Sequence, residues 1–251
     1  MDKKITYPRN FLTKVLFRID FTPLEALKSE PTEFRNLIRS AYPRLEPVVR
    51  TGALFEAQVG MQPTTRQVSE TLWQFTSTDG TTLCNVLFNS VVIESNAYIN
   101  FTTFATDLKV ILDAFYAIYP DVSVIRVGLR YINEIVVPDG EDYLEWGELI
   151  NPQLASIVRF RPEGTELKRS LNGAEYVVDA DTTINVRTGI YNSSYPAAIV
   201  RKEFVIDLDC YSTSRPDSQT ALMTSLNRYN DLLTRTFESI IEDGLRALLS
   251  K

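Results

Sequence analysis

Between Lys14 and Phe21 apolar and polar side chains alternate. Val15, Phe17, Ile19 and Phe21 fall on one side of an extended chain, and Leu16, Arg18 and Asp20 fall on the other. A period of two predicts a strand with one buried face. The spacing then changes. Phe34, Leu37, Ile38 and Ala41 recur at helical steps, which predicts a short helix over Thr32–Ala41 with Thr32 as its cap, closed by Pro43 and Pro47. Three strands are predicted next, near Val48–Val59, Val68–Thr76 and Thr82–Glu94, with Asp79-Gly80 as a tight turn before the last. Phe101, Phe104, Leu108, Ile111, Leu112, Phe115, Ile118 and Tyr119 then form one apolar stripe, so Phe101–Tyr119 reads as a long helix stopped by Pro120.

The same order of elements begins again. Ser123–Val137 reads as a long strand, and Glu141–Val158 as helical, broken at Asn151-Pro152. Strands are expected near Glu166–Leu171, Glu175–Thr188 and Ala198–Tyr211, with Asn172-Gly173 turning the first into the second. A final helix runs over Ser218–Leu249, striped by Leu222, Leu226, Tyr229, Leu233, Phe237, Ile240, Ile241, Leu245 and Leu248. The prediction is an α+β fold of two similar strand-helix-three-strand-helix halves, 1–121 and 122–251, joined as one compact unit. The repeat is one of element order, with little residue identity. Antiparallel curved sheet, in one piece or two, carries the long helices on one face.

Composition narrows the chemistry. The 251 residues contain no histidine. That removes the usual general base and the commonest metal ligand, and with them Ser-His-Asp and Cys-His catalysis within the chain. Two cysteines, Cys84 and Cys210, are too few for a tetrahedral structural zinc site. Both lie in apolar strand-like runs and read as buried thiols, although spacing alone leaves a disulfide open. The net charge of −6 argues against a nucleic-acid surface. No run reaches the length of a membrane span, and Met1-Asp2-Lys3-Lys4-Ile5 lacks a signal-peptide core, so a cytoplasmic protein is expected.

Two short runs carry the candidate chemistry. In Arg126–Asn133 (RVGLRYIN), Arg126, Gly128 and Arg130 face one way on a strand, and Val127, Leu129 and Tyr131 the other. Paired guanidinium forks suit a carboxylate or phosphate, and Gly128 between them admits a close approach. In Phe204–Cys210, Asp207 and Asp209 share a face, and Asp179-Ala180-Asp181 repeats that spacing. Paired carboxylates are suited to Mg²⁺ or to acid–base work, and equally to cross-strand ion pairs with the two arginines. Trp73 and Trp146 read as packing residues. No Walker, dinucleotide or Gly-x-Ser-x-Gly motif is present.

Arg126–Asn133, Trp73-Gln74-Phe75-Thr76-Ser77, Tyr98, the acidic strand at Asp207 and Asp209, and a final helix carrying Phe237 occur in an order spanning most of the chain. Together they resemble the signature of a sporadically distributed prokaryotic family of unassigned function. The chain departs from that signature by lacking a Leu-His pair near Leu226–Leu233. The resemblance implies no catalytic residue. The sporadic distribution is similar to that of accessory genes such as phage-defence components.

The first expectation is therefore a non-catalytic binding protein without a cofactor, an accessory subunit of a small operon. Its binding set would be Arg126, Gly128, Arg130, Tyr131, Asn133, Asp207 and Asp209, its partner a protein from the same operon, and a homodimer fits. The second is a helix-grip-like binder of a small apolar ligand, with Tyr229, Leu233 and Phe237 as one wall. The third is a metal-dependent phosphoryl-transfer enzyme using Asp207 and Asp209.

Overall fold

The computed structural model describes residues 7–56, 64–137 and 142–251. The fold is α+β. Among the described residues, nine strands form one antiparallel sheet in the order β2-β3-β4-β5-β1-β6-β9-β8-β7. The strands are β1 (Leu12–Phe21), β2 (Arg44–Glu56), β3 (Thr64–Thr76), β4 (Thr82–Leu87), β5 (Ser90–Ser95), β6 (Val124–Val137), β7 (Ser170–Val177), β8 (Thr182–Ile190) and β9 (Lys202–Ser212). The helices are α1 (Thr32–Ile38), α2 (Phe101–Ile118), α3 (Pro152–Arg159), α4 (Gln219–Ile240) and α5 (Asp243–Leu249).

The chain divides into two compact units. One holds Phe17–Val127 and Arg215–Gln219, and the other holds the chain up to Leu16, Gly128–Ser214 and Thr220–Lys251. In the first, Val86, Val91, Ile93 and Phe75 lie at 0–1% exposure. α2 presents Phe104, Leu108, Ile111, Leu112 and Phe115 to this core. Phe115 meets Phe21 at 5.2 Å between ring centroids, and Phe34 of α1 stands edge-on to Phe75 at 5.4 Å. Asn100 caps α2 by accepting from the Thr103 N–H. In the second unit, Phe204, Ile206 and Leu208 of β9 pack at 0% exposure, as do Leu222, Leu226 and Leu233 of α4. The Tyr131 hydroxyl of β6 donates to Asn230 Oδ1 of α4 at 2.8 Å across this layer.

Several expectations shift. The predicted strand Thr82–Glu94 is a hairpin: Leu87 pairs with Ser90 around Phe88-Asn89, so the first half holds four strands after its first helix. The carbonyls of that turn hold the exit of β1, accepting from Phe21 N and Leu24 N. Pro31 rather than Thr32 occupies the N-cap position of α1, with no side-chain capping bond, and Leu37 is exposed while Phe34 and Ile38 are buried. The predicted end of β2 at Val59 lies outside the described residues, as does Glu141. Only Pro152–Arg159 of the predicted Glu141–Val158 helix is helical, because Asn151-Pro152 starts a helix rather than breaking one.

Asn172-Gly173 does not turn the chain. It runs straight within β7, with Asn172 opposite Thr188 and Gly173 opposite Arg187. The turn comes six residues later, where Asp179 Oδ1 accepts from the N–H groups of Asp181 and Thr182. The final helix is two helices. At their junction Ile241 bridges to Ile150, Asn151 N donates to Ile240 O, and Glu242 N donates to Leu149 O. A Cβ on Gly244 would stand 2.6 Å from the Glu148 carbonyl oxygen, so only glycine admits this crossing. Cys84 and Cys210 are buried and unpaired. Among the described residues, no helix is long and apolar enough to cross a membrane.

Candidate binding face of the β6-β9-β8-β7 sheet

The two arginines of the Arg126–Asn133 run each answer to a different carboxylate. Arg126 Nη1 lies 3.5 Å from Asp20 Oδ2, while Asp20 also takes Arg18 at 2.6 Å. Arg130 makes a two-pronged bond to Asp207, Nε to Oδ1 at 2.7 Å and Nη2 to Oδ2 at 2.6 Å. This fork-on-carboxylate geometry is the strong form of the ion pair. It raises the pKa of the Arg130 guanidinium, a rise that burial opposes and that Asp207 and Asp209 reinforce by their charge. Gly128 is buried between the two arginines.

Tyr131 and Asn133 do not belong to that face. The pleat turns both inward, at 6% and 4% exposure, where Tyr131 bonds Asn230 and Asn133 Nδ2 donates to the Ile206 carbonyl at 3.3 Å. They hold the sheet to α4 and to β9 and lie in the core rather than on the outward face with Arg130. Asp207 and Asp209 do share the outward face, opposite Arg187 and Asn185 on β8. Both oxygens of Asp207 are engaged by Arg130, which leaves a poor metal ligand. Among the described residues, no three His, Cys, Asp or Glu side chains are grouped to hold an ion. Asp179 and Asp181 belong to the β7–β8 turn, not to a strand.

The residue that sequence reasoning missed is Arg187. Its guanidinium is half-exposed, and among the described residues its one ion-pair partner is Asp207, at 3.5 Å. The alternation of Ile184, Val186 and Thr188 against Thr183, Asn185 and Arg187 places it outward, so the signal was present. Beside it lies a concavity of about 480 Å³, walled by Ile132, Val205, Leu171, Tyr191 and Arg187. Register explains the hollow. Gly173 stands opposite Arg187, and Gly189 stands between Leu171 and Val205, so two neighbouring strands lack a side chain here. The result is an apolar floor with a charged margin formed by Arg187, Arg130, Asp207 and Glu134.

The turn beside this face is itself held by charge. Asp179 accepts from Arg228 of α4, and this bond, followed by the Asp181 amide, holds its carboxyl well below the usual carboxylate range. A folded-state pKa that is depressed adds stability above the ordinary value of about 3.9, and the gain is lost as pH falls through the depressed one. Asp179→Asn keeps the turn acceptor and removes the charge. Urea midpoints of the variant should therefore fall below wild type at neutral pH and converge with it in acid. An offset that persists unchanged in acid would assign the whole effect to the turn.

Further hollows lie among the described residues. One, about 550 Å³, is lined by Tyr42, Ser77, Thr82, Ser95, Asp79 and Asp107; desolvation, then the charge of Asp79, raises the Asp107 carboxyl. Another, about 420 Å³, opens beside Tyr176, Ile184, Val186, Thr236, Ser239 and Ile240. Compared with known proteins, the chain matches no protein-family model, and no curated protein matches it.

Proposed function

We propose that this is a non-catalytic binding protein, an accessory subunit that recognises a partner polypeptide on the outward face of its β6-β9-β8-β7 sheet. The observation that carries the reading is the concavity over Gly173 and Gly189, apolar at its floor and with the half-exposed Arg187 at its rim. A depression with an apolar floor and a charged margin, where Arg187 stands beside Arg130, Asp207 and Glu134, is suited to a protein anchor residue with a polar or charged neighbour. The Arg130–Asp207 pair lines the same concavity, and through Asp207 it sets the position of Arg187. Phage-defence operons are one setting in which such a subunit would work.

Native mass spectrometry on the protein co-expressed with its neighbouring genes tests this. A species heavier by a second polypeptide is expected, and Ile132→Lys, which places a charge on the floor without touching the helix-facing core, should abolish it. A second polypeptide retained undiminished by Ile132→Lys, or none at all, would overturn the assignment.

A second reading, an apolar-ligand binder, is favoured by the crevice beside Tyr176, Ile184, Val186 and Ile240. Tyr229 and Leu233, expected in its wall, are packed at 1% and 0% exposure, and the crevice uses Thr236 and Ser239 instead. Extra mass of a few hundred daltons in the same spectrum would select it.

A further inference from the structure

β7 ends the sheet, and among the described residues no strand pairs with its far side. Such an edge presents a row of unused N–H and C=O groups, and proteins ordinarily blunt it with lysine, proline or a bulge. β7 (SLNGAEYV) has none of these residues and carries one charge, Glu175. Leu171, Tyr176 and Val177 are 50%, 54% and 77% exposed. Glu175 is exposed and makes no hydrogen bond or ion pair among the described residues.

We infer that β7 pairs antiparallel with β7 of a second copy of this chain, about a two-fold axis at Ala174, so that Glu175 of each copy meets Arg187 of the other. The occupant follows from self-complementarity. A two-fold axis normal to the sheet keeps each side chain on its own face, so only residues of the same face are paired. On the outward face stand Leu171, Gly173, Glu175 and Val177, since Gly173 is opposite Arg187. Centring on Ala174 sets Leu171 against Val177 of the second copy, joining two exposed apolar groups. It sets Gly173 against the second copy's Glu175. The missing side chain at Gly173 leaves room there, beside a guanidinium that is half-exposed and bound to Asp207 only at 3.5 Å. On the other face Asn172 meets Tyr176. Moving the axis to Glu175 would oppose two like charges, and moving it to Gly173 would set Glu175 against Leu171. The axis at Ala174 is also the one that satisfies charge and apolar pairs together. The Arg187–Glu175 contact arises twice by symmetry.

This inference stands on the edge strand and shares only Arg187 with the partner-binding reading, and its test needs the purified chain alone. A homodimer appears at twice 28.5 kDa in the purified chain, where no second polypeptide is present. The test is light scattering or sedimentation of the purified chain at tens of micromolar, on wild type, Glu175→Arg and Arg187→Glu. Circular dichroism confirms that each variant is folded. Wild type should read twice 28.5 kDa, and each variant alone should read 28.5 kDa, because each sets like charges together. Mixing the two variants should restore the dimer, since every contact in the mixed pair then joins Arg to Glu. A monomeric wild type, a dimer that survives both substitutions, or a mixture that stays monomeric would each overturn the inference.

Discussion

Gly189→Ala is expected to lower the stability of the protein by about 3 kcal/mol or more, read as a fall in the urea midpoint with an unchanged slope. Gly189 has φ +143°, a region closed to residues with a Cβ. The second cause is steric. A Cβ at Gly189 would stand 2.0 Å from the Ser170 carbonyl oxygen, which is backbone and is held in the β7–β8 ladder. No rotamer change relieves that overlap, so the strands must separate where Leu171 pairs with Gly189. Gly173→Ala is the control, one residue pair away on the same face. Its nearest neighbour would be Arg187 Cγ at 3.9 Å, an ordinary contact. That substitution should change stability by no more than about 1 kcal/mol, in the stabilising direction. Equal losses at both glycines would defeat this account.

Trp146→Ala should cost about 3–5 kcal/mol, the range for deleting a large buried aromatic. Trp146 is fully buried, although it sits in an irregular stretch between β6 and α3 rather than in a helix or strand. Its ring lies 5.1 Å from that of Phe204 on β9, and its Nε1 donates to the Tyr143 carbonyl at 3.0 Å. Its own carbonyl accepts from Leu149 N and Ile150 N. The residue is thus the core anchor of a segment that has little regular backbone bonding of its own. Removing the ring leaves a cavity against Phe204 and frees the segment that clamps the α4–α5 junction. Trp146→Phe keeps the apolar contact and loses one hydrogen bond, so its loss should be clearly smaller. A loss below about 1 kcal/mol for Trp146→Ala would mean that the segment closes over the gap.

How legible the fold was depended on the range of the force that shaped each part. β1 and α2 were readable because one buried face writes its period directly into the sequence, as Val15, Phe17, Ile19 and Phe21 do, or Phe104, Leu108, Ile111 and Phe115. Asn172-Gly173 misled because its turn preference is local and weak, and pairing with β8 overrides it. The true turn depends on a side-chain acceptor, Asp179, whose Asp-x-Asp spacing looked like a carboxylate pair. The break after Ile240 is made by a chain segment some ninety residues away in sequence, which no periodicity in the helix reveals. The candidate face was half readable. The outward placement of Arg130 and Asp207 followed from alternation. Their mutual pairing, the meeting of Arg187 with the same carboxylate, and the hollow over two glycines follow from strand order and register.

The buried cysteines make the protein a convenient chassis for labelling. Desolvation raises both thiols, Cys210 to about 12 and Cys84 further, so neither offers thiolate to a maleimide at neutral pH. A single cysteine placed at Val177, which is 77% exposed on the edge strand, would then react alone. A fluorophore there would report occupancy of β7 in real time, on a background that needs no prior removal of native thiols.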